Sequence, residues 1–306
     1  MSTVLGSNNL SQVNKLVADV FGLALASRDN KWDKVFAERS PSRKDEKLTI
    51  IKLDNSVTET SDGGAFTPNN IKEIGNYTIT QKIFKDSVIL GDFAEEFDNY
   101  GKIKQAAQEK GMDYAYQMDA LAVAFLNNPT STTAPYGFEV DGAGTTSALL
   151  SATAPVGDTG ATQSNLQTGG LSKANVNAAL VKLLQQKRHN GNIAGYQWKR
   201  WIVSPTELMS AWQMINSSGE PESADRASNY MNTLGVEIIP WDLLTTSTTS
   251  FLMDSKSVMP HFVYFVKLRP SMQAIRSQNT GNVEYQFRMM LMAGLADMQG
   301  CVGLTA

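Results

Sequence analysis

The stretch that most limits how this chain can fold lies between Leu48 and Leu90. "KLTIIKL" (Lys47–Leu53) is rich in β-branched residues, and "YTITQKIF" (Tyr77–Phe84) alternates as a strand does. The alternation sets Tyr77, Ile79, Gln81 and Ile83 on one face and Thr78, Thr80, Lys82 and Phe84 on the other. Between the two runs lie mostly turn and loop residues: Thr, Ser, Asp, Gly and Asn. At the centre, Asp62-Gly63-Gly64 is a hairpin signal, because such turns need positive φ, which Gly adopts without strain. A long hairpin with polar residues on much of both faces cannot stabilise itself in water. Either it is a mobile surface loop, or it is an arm completed by contact with a neighbouring subunit.

A second constraint follows at once. "FDNYGKIKQAAQEKGMDYAYQMDALAVAFLNNP" predicts a helix, capped by Asp98 or Asn99 and ending at Asn127 and Asn128 before Pro129. About 28 helical residues span roughly 40 Å, the length of a spine rather than of a helix in a small domain. Ile103, Ala107, Tyr114, Met118, Leu121 and Phe125 form its apolar stripe. Gly111 interrupts the helix at a cost of ~1 kcal/mol relative to Ala.

Nearer the N-terminus, Leu10, Val13, Val17, Val20 and Ala24 share one helix face. Lys15 and Asp19 interrupt the apolar stretch and no basic segment precedes it, so it does not read as a signal peptide. Two readings stay open: a helix packed on its own domain, or an arm that docks on a neighbour. The segment after it, Ser27–Lys47, mixes both charge signs around Pro41, with Trp32, Val35 and Phe36 as its large apolar anchors. It reads as a strap outside any compact core. That makes Leu10, Val13, Val17 and Val20 an expected intersubunit face.

From Asn127 to Gly170 the chain is rich in Thr, Ser, Gly and Ala. Gly142 and Gly144 lack a third glycine at nucleotide-fold spacing, so the region reads as loop and short strand. From Leu171 to about His261 an α/β-like module is expected. Its first helix is capped by Ser172, buries Val176, Leu180, Leu183 and Leu184, sets Lys187, Arg188 and His189 near its C-terminal end, and stops at Gly191. "WKRWIVSP" reads as a buried strand, "TELMSAWQMI" as a helix capped by Thr206, and "LGVEIIPWDLL" and "SFLMDS" as two more strands. Two long strand-rich runs, separated by a turn at Asn279–Asn282, close the chain.

Catalytic signatures are missing from the sequence. There is no HExxH, GxSxG or P-loop pattern, and a single cysteine, Cys301, rules out an internal disulfide and a cysteine metal cluster. Cys301 sits in an apolar run and reads as a small buried residue. Glu95 and Glu96 read as solvated. The 2 histidines, His189 and His261, lie in different elements with no carboxylate motif tied to either. An enzyme is not expected, nor a cofactor, a metal or a membrane span, since no apolar run reaches the roughly 18–20 residues that crossing a bilayer requires. The net charge of −3 excludes a strongly basic field, so tight general binding to nucleic acid is not expected.

The order of these parts resembles the tailed-bacteriophage major capsid protein, with its Hong Kong 97-type fold. Four stretches carry the resemblance: "NYTITQKIFKDSVILGDFAEEFDNYGKIKQAAQEKG", "WIVSPTEL", "NTLGVEIIPWDLL" and "YQFRMMLMAGLADMQGCVGL". The resemblance implies an α+β fold: an N-terminal arm (1–47), an extended β-hairpin E-loop (48–97), a P-domain opening with the spine helix (98–165), an inserted A-domain (166–261) and P-domain C-terminal strands (262–306). It implies a head subunit that self-assembles into pentamers and hexamers of an icosahedral shell around double-stranded DNA. Portal, scaffolding and decoration or cement proteins would be its partners, with DNA contacted weakly and without sequence specificity. Assembly would take place in the host cytoplasm, ending in the virion capsid. The E-loop lies over an adjacent subunit in such proteins, which makes Asp62, Gly63, Gly64 and Phe66 candidate contacts at its tip. Two other classes remain: an encapsulin-like cellular nanocompartment shell, and another phage structural protein of the tail or baseplate.

Overall fold

A computed structural model describes residues 7–53, 59–66, 68–91, 100–217, 219, 228–245, 249–255 and 261–305; for residues 7–12 and 100 it describes the backbone alone. The chain opens with α1 (Ser7–Ser27) and the one-turn α2 (Trp32–Val35), then β1 (Ala37–Arg39), β2 (Asp45–Leu53), β3 (Ile71–Thr80) and β4 (Lys82–Leu90). The spine is α3 (Tyr100–Asn127). Short strands follow: β5 (Phe138–Glu139), β6 (Thr146–Ser147), β7 (Ala154–Pro155), β8 (Thr162–Gln163) and β9 (Leu166–Thr168). Then come α4 (Lys173–Leu184), β10 (Arg200–Val203), α5 (Leu208–Asn216), a 3-10 turn (Tyr230–Leu234), β11 (Glu237–Pro240) and β12 (Ser250–Met253). The last strands are β13 (Phe262–Arg276), β14 (Val283–Leu295) and β15 (Cys301–Thr305).

Among the described residues two larger sheets, three two-stranded ones and two cores result. The first sheet has the order β1-β13-β14-β4. Its long pair β13 and β14 turns at Gly281, whose φ of 73° suits glycine. The register between them shifts on either side of Leu268, where Pro270 has no N–H to give to a ladder. The stripe of α3 packs into the core on this sheet: Ile103, Ala107, Tyr114, Met118 and Phe125 are buried. The second sheet has the order β11-β10-β12-β15-β9. Every residue of β10 and β12 is buried, as expected for strands covered on both faces. A second core holds Val176, Leu180, Leu183, Trp198, Trp201 and Ile215.

Several sequence expectations are corrected here. The N-terminal helix is not a free arm. Val13, Val17, Val20, Phe21 and Ala24 are buried, and the Phe21 ring stands 5.0 Å from Phe287 and 6.0 Å from Tyr114. Gly111 explains how α1 gets so close: a Cβ there would lie 2.6 Å from the Ala24 Cβ and 2.7 Å from the Phe21 carbonyl. The weak point of the spine is the crossing point of two helices.

The strap is also core. Trp32 stacks on Tyr264 at 4.3 Å, while Val35 and Phe36 are fully buried. The buried Asp119 accepts the Lys31 and Trp32 backbone N–H groups at 2.9 and 3.1 Å and faces Arg28 at 3.6 Å. Burial pushes the Asp119 carboxyl up, against those two hydrogen bonds and the Arg28 charge. The three anchors were visible in the sequence but their place in the core was not, because three apolar side chains in a polar segment carry no periodicity.

The hairpin ladder ends at Thr80, short of the expected Leu90. Gln81 is buried and marks the break: its N–H donates to the Lys44 carbonyl and its side-chain amide to the Arg43 carbonyl. Past it the alternation slips, leaving Ile83 exposed, and β4 pairs with β14. The final strand-rich run splits as well. A bend at Gly300 (φ 78°) sends β15 out of the long pair and into the second sheet, beside β12 and β9. In the inserted module, Ser172 caps α4 as expected, accepting the Asn175 N–H. The helix stops at Leu184, however, and Leu184 is exposed. The first residue outside α5 is Glu207, with no side-chain cap, so Thr206 is not the cap. Asp98, Asn99, Glu95 and Glu96 lie outside the described residues.

Candidate functional site

Strands β2 and β3 form a two-stranded sheet of their own, from the pair Asp45↔Thr80 to the pair Leu53↔Ile71. The base of this arm is built into the body. Ile50, Ile74, Tyr77 and Ile79 are buried in the first core, and the Tyr77 hydroxyl donates to the Pro135 carbonyl. Gly75 permits this seating, since a Cβ there would collide with the Glu139 carbonyl of β5. A polar clamp holds the next level. Lys52 and Lys72, cross-strand partners, both reach the carboxylate of Asp158. Their hydrogen bonds hold the Asp158 pKa down at about 2.

Beyond the clamp the described residues leave much of the arm uncovered. Leu53 and Ile71 face each other at the last rung and are 49% and 69% exposed, with Ile51 at 56%. The candidate tip residues Asp62, Gly63, Gly64 and Phe66 are all exposed, Phe66 completely. The Gly64 N–H donates to the Ser61 carbonyl at 2.8 Å, and Gly63 has φ 82° at the third position. A closing bond with positive φ at the third residue belongs to the turns that favour glycine there, types II and I′. Among the described residues the last rung of the ladder is Leu53↔Ile71.

The second candidate set behaves otherwise. Val13, Val17 and Val20 face the chain's own core, and the Leu10 side chain lies outside the described residues. Sequence reasoning missed the apolar rung Leu53–Ile71, whose signal was available: two aliphatics bordering a polar tip. It also missed a polar cluster. His189 and His261 both point Nε2 at Oδ2 of the fully buried Asp297, at 2.7 and 3.5 Å. An acid inside the apolar run "MAGLADMQGCVGL" was the only available hint.

Cys301 is poorly placed for nucleophilic chemistry. Burial raises the Cys301 thiol far above its ordinary value, with the nearby Arg200 charge opposing only in part. Among the described residues no three His, Cys, Asp or Glu are grouped so as to hold a metal ion. No described helix is long and apolar enough to cross a membrane. What the site offers instead is an anchored arm with an uncovered apolar end, suited to contact with another surface.

A family model described as phage capsid protein matches residues 75–302. No curated protein matches the chain in sequence. Solved structures do match in fold. The capsid of the cyanophage P-SCSP1u has 13% identity and a TM-score of 0.57, over 90% of this chain and 87% of that one. The mature capsid of bacteriophage PhiM1 has 11% identity and a TM-score of 0.55, over 91% and 87%. The virus-like particle from Pyrococcus furiosus has 10% identity and a TM-score of 0.54, over 95% and 98%.

Proposed function

The chain belongs to the phage capsid protein family, and from that premise we propose that it is the major head subunit, assembling into pentamers and hexamers of a closed icosahedral shell around double-stranded DNA. Its fold is the α+β, Hong Kong 97-type fold of phage capsids. On this reading β2, β3 and the loop between them act as the E-loop. The spine α3 with β13 and β14 acts as the P-domain, and the module carrying the five-stranded sheet acts as the A-domain.

The observation that carries the proposal is the arm's distal end. Leu53, Ile71 and Phe66 are exposed although the base of the same arm is buried and clamped. A soluble chain gains by covering such surface, and the family supplies the cover: a second copy of the same subunit. The contact is heterologous, arm on neighbouring body, and repetition of it around an axis closes a ring. The modest acidic balance agrees with a shell whose inner wall does not grip phosphates. Portal, scaffolding and decoration proteins would join such a shell.

Electron microscopy of particles from the expressed chain, with their nucleic-acid content measured, tests this. Closed shells of uniform size are expected; tubes, discs or monomers only would overturn it. A cellular nanocompartment shell is the second reading, favoured by the likeness to the virus-like particle from Pyrococcus furiosus over 98% of that chain. Particles from the native source that hold protein and no DNA would decide for it.

A further inference from the structure

We propose that His189, Asp297 and His261 form a proton-operated latch: it holds the bend between β14 and β15 and the inserted module in their observed arrangement, and a proton taken up by His261 releases it. The inference stands on the single chain and does not depend on how the chain assembles.

The three residues come from three separate places. His189 lies in the loop after α4, His261 precedes β13, and Asp297 sits in the bend between β14 and β15. Among the described residues Asp297 is the only hydrogen-bond partner of the His189 ring, whose buried Nδ1 finds none there. The other oxygen of Asp297 accepts the Met298 N–H at 2.7 Å and shapes the bend. The bend is tied to the module again through Gln186, whose side-chain carbonyl accepts the Gly300 N–H at 2.8 Å, and through the Tyr196 hydroxyl, which donates to Gln299 at 2.8 Å. The cluster is therefore a joint, and one buried carboxylate is its pin.

Beside the joint lies a cavity of about 410 Å³, and β2 of the arm forms one wall. The charged groups facing it are Arg39 at the end of β1, Lys52 of β2 and Arg188 of the module loop, and no carboxylate lines it among the described residues. Asp158, between β7 and β8, is taken by Lys52 and Lys72. A second proton at His261 is met by Asp297, already shared with His189, and is opposed by His189 and Arg39.

The directions of titration agree. Burial lowers the His189 pKa, but the Asp297 charge and hydrogen bond outweigh it and leave the ring above its ordinary 6.5. For His261 burial wins over Asp297, with His189 and Arg39 adding to it, and the ring falls below 6.5. The contribution of His261 to the closed joint is thus complete above about 6.5 and is lost as pH falls toward its folded value. That of His189 is complete below about 6.5 and is lost as pH rises through its folded value. The latch is tightest near the crossing and loosens on both sides, each limb belonging to a different residue.

Two measurements on the full chain test this. Hydrogen–deuterium exchange at the imidazole carbon, read by mass spectrometry in the wild type, titrates both histidines without a variant. The midpoint of His189 is expected above 6.5 and that of His261 below it; coincident midpoints would overturn the proposal. Amide exchange in residues 186–191 and 296–301, corrected for intrinsic rates, is expected to rise up to roughly tenfold per pH unit as one proton couples to opening below pH 6.5. His261→Gln should flatten this acid limb alone, and His189→Gln the alkaline limb alone. Variants that keep the wild-type profile, shifted only in absolute rate, would reduce the cluster to ordinary packing.

Discussion

Gly111 of α3 lies directly against Ala24 of α1, so close that a Cβ at position 111 would stand 2.6 Å from the Ala24 Cβ. The contact is backbone on methyl, and it sets how deeply the N-terminal helix sinks into the subunit. Gly111→Leu should force the helices apart and lower stability by about 1–3 kcal/mol, as overpacking does, even though leucine is the better helix former. A melting temperature equal to wild type would mean that α1 does not rest on α3.

Removal of residues 1–27 should act in the same direction and further. It uncovers the surfaces against which Val13, Val17, Val20 and Phe21 are buried. Each such side chain contributes about 1.5–3 kcal/mol, so the unassembled subunit is expected to melt at a much lower temperature or to precipitate. Thermal unfolding of the truncated chain decides it; an unchanged midpoint would restore the helix to the role of a free arm.

Deletion of Thr60 to Phe66 should leave the subunit folded and block closed particles. All seven residues are exposed, so no core is disturbed. Circular dichroism would check the fold and electron microscopy the particles. Shells of normal size and heat resistance would show that the tip is not an intersubunit strap.

Asp158→Asn should free the arm without unfolding the body. Lys72 is half exposed, but Lys52 and Asp158 are largely covered, so the global cost is expected at roughly 1–3 kcal/mol, while proteolysis within residues 45–80 speeds up. Acid should imitate the variant. A carboxylate depressed to about 2 gives its full contribution above its ordinary value of 3.8 and loses it as pH falls from there through 2. Wild-type arm cleavage by an acid protease that rises between pH 4 and 2, with no such rise in the variant, is the expected pair of results.

Met118→Asp tests the spine. Met118 is 4% exposed and its backbone carbonyl accepts the Tyr264 hydroxyl at 2.9 Å. An unpaired charge there should cost on the order of 3–5 kcal/mol and yield insoluble protein. Soluble, assembling variant protein would place the stripe in solvent.

Much of the fold was legible because its causes are local. The apolar spacing of α3, the Ser172 cap, the turn at Gly281 and the strands "RWIV" and "SFLM" each follow from a few neighbouring residues. The arm was legible for the opposite reason: its polar composition marks a segment that cannot bury itself. Its clamp was not, since Asp158 stands 106 and 86 residues from the two lysines it joins.

The sequence by itself determined which elements form and which side of each is apolar, because propensity, caps and periodicity act within a turn or two of chain. Only the tertiary structure decided what covers each apolar side. The face of α1 suits a neighbour's groove as well as its own subunit's, and Gly111, far along the chain, settles the choice by leaving room for it. Gln81 reads as one more polar strand residue until the carbonyls of Arg43 and Lys44 meet it and turn the chain into another sheet. His189, His261 and Asp297 are unrelated in sequence. Burial around a single carboxylate joins them, and burial is a property of the packed chain as a whole.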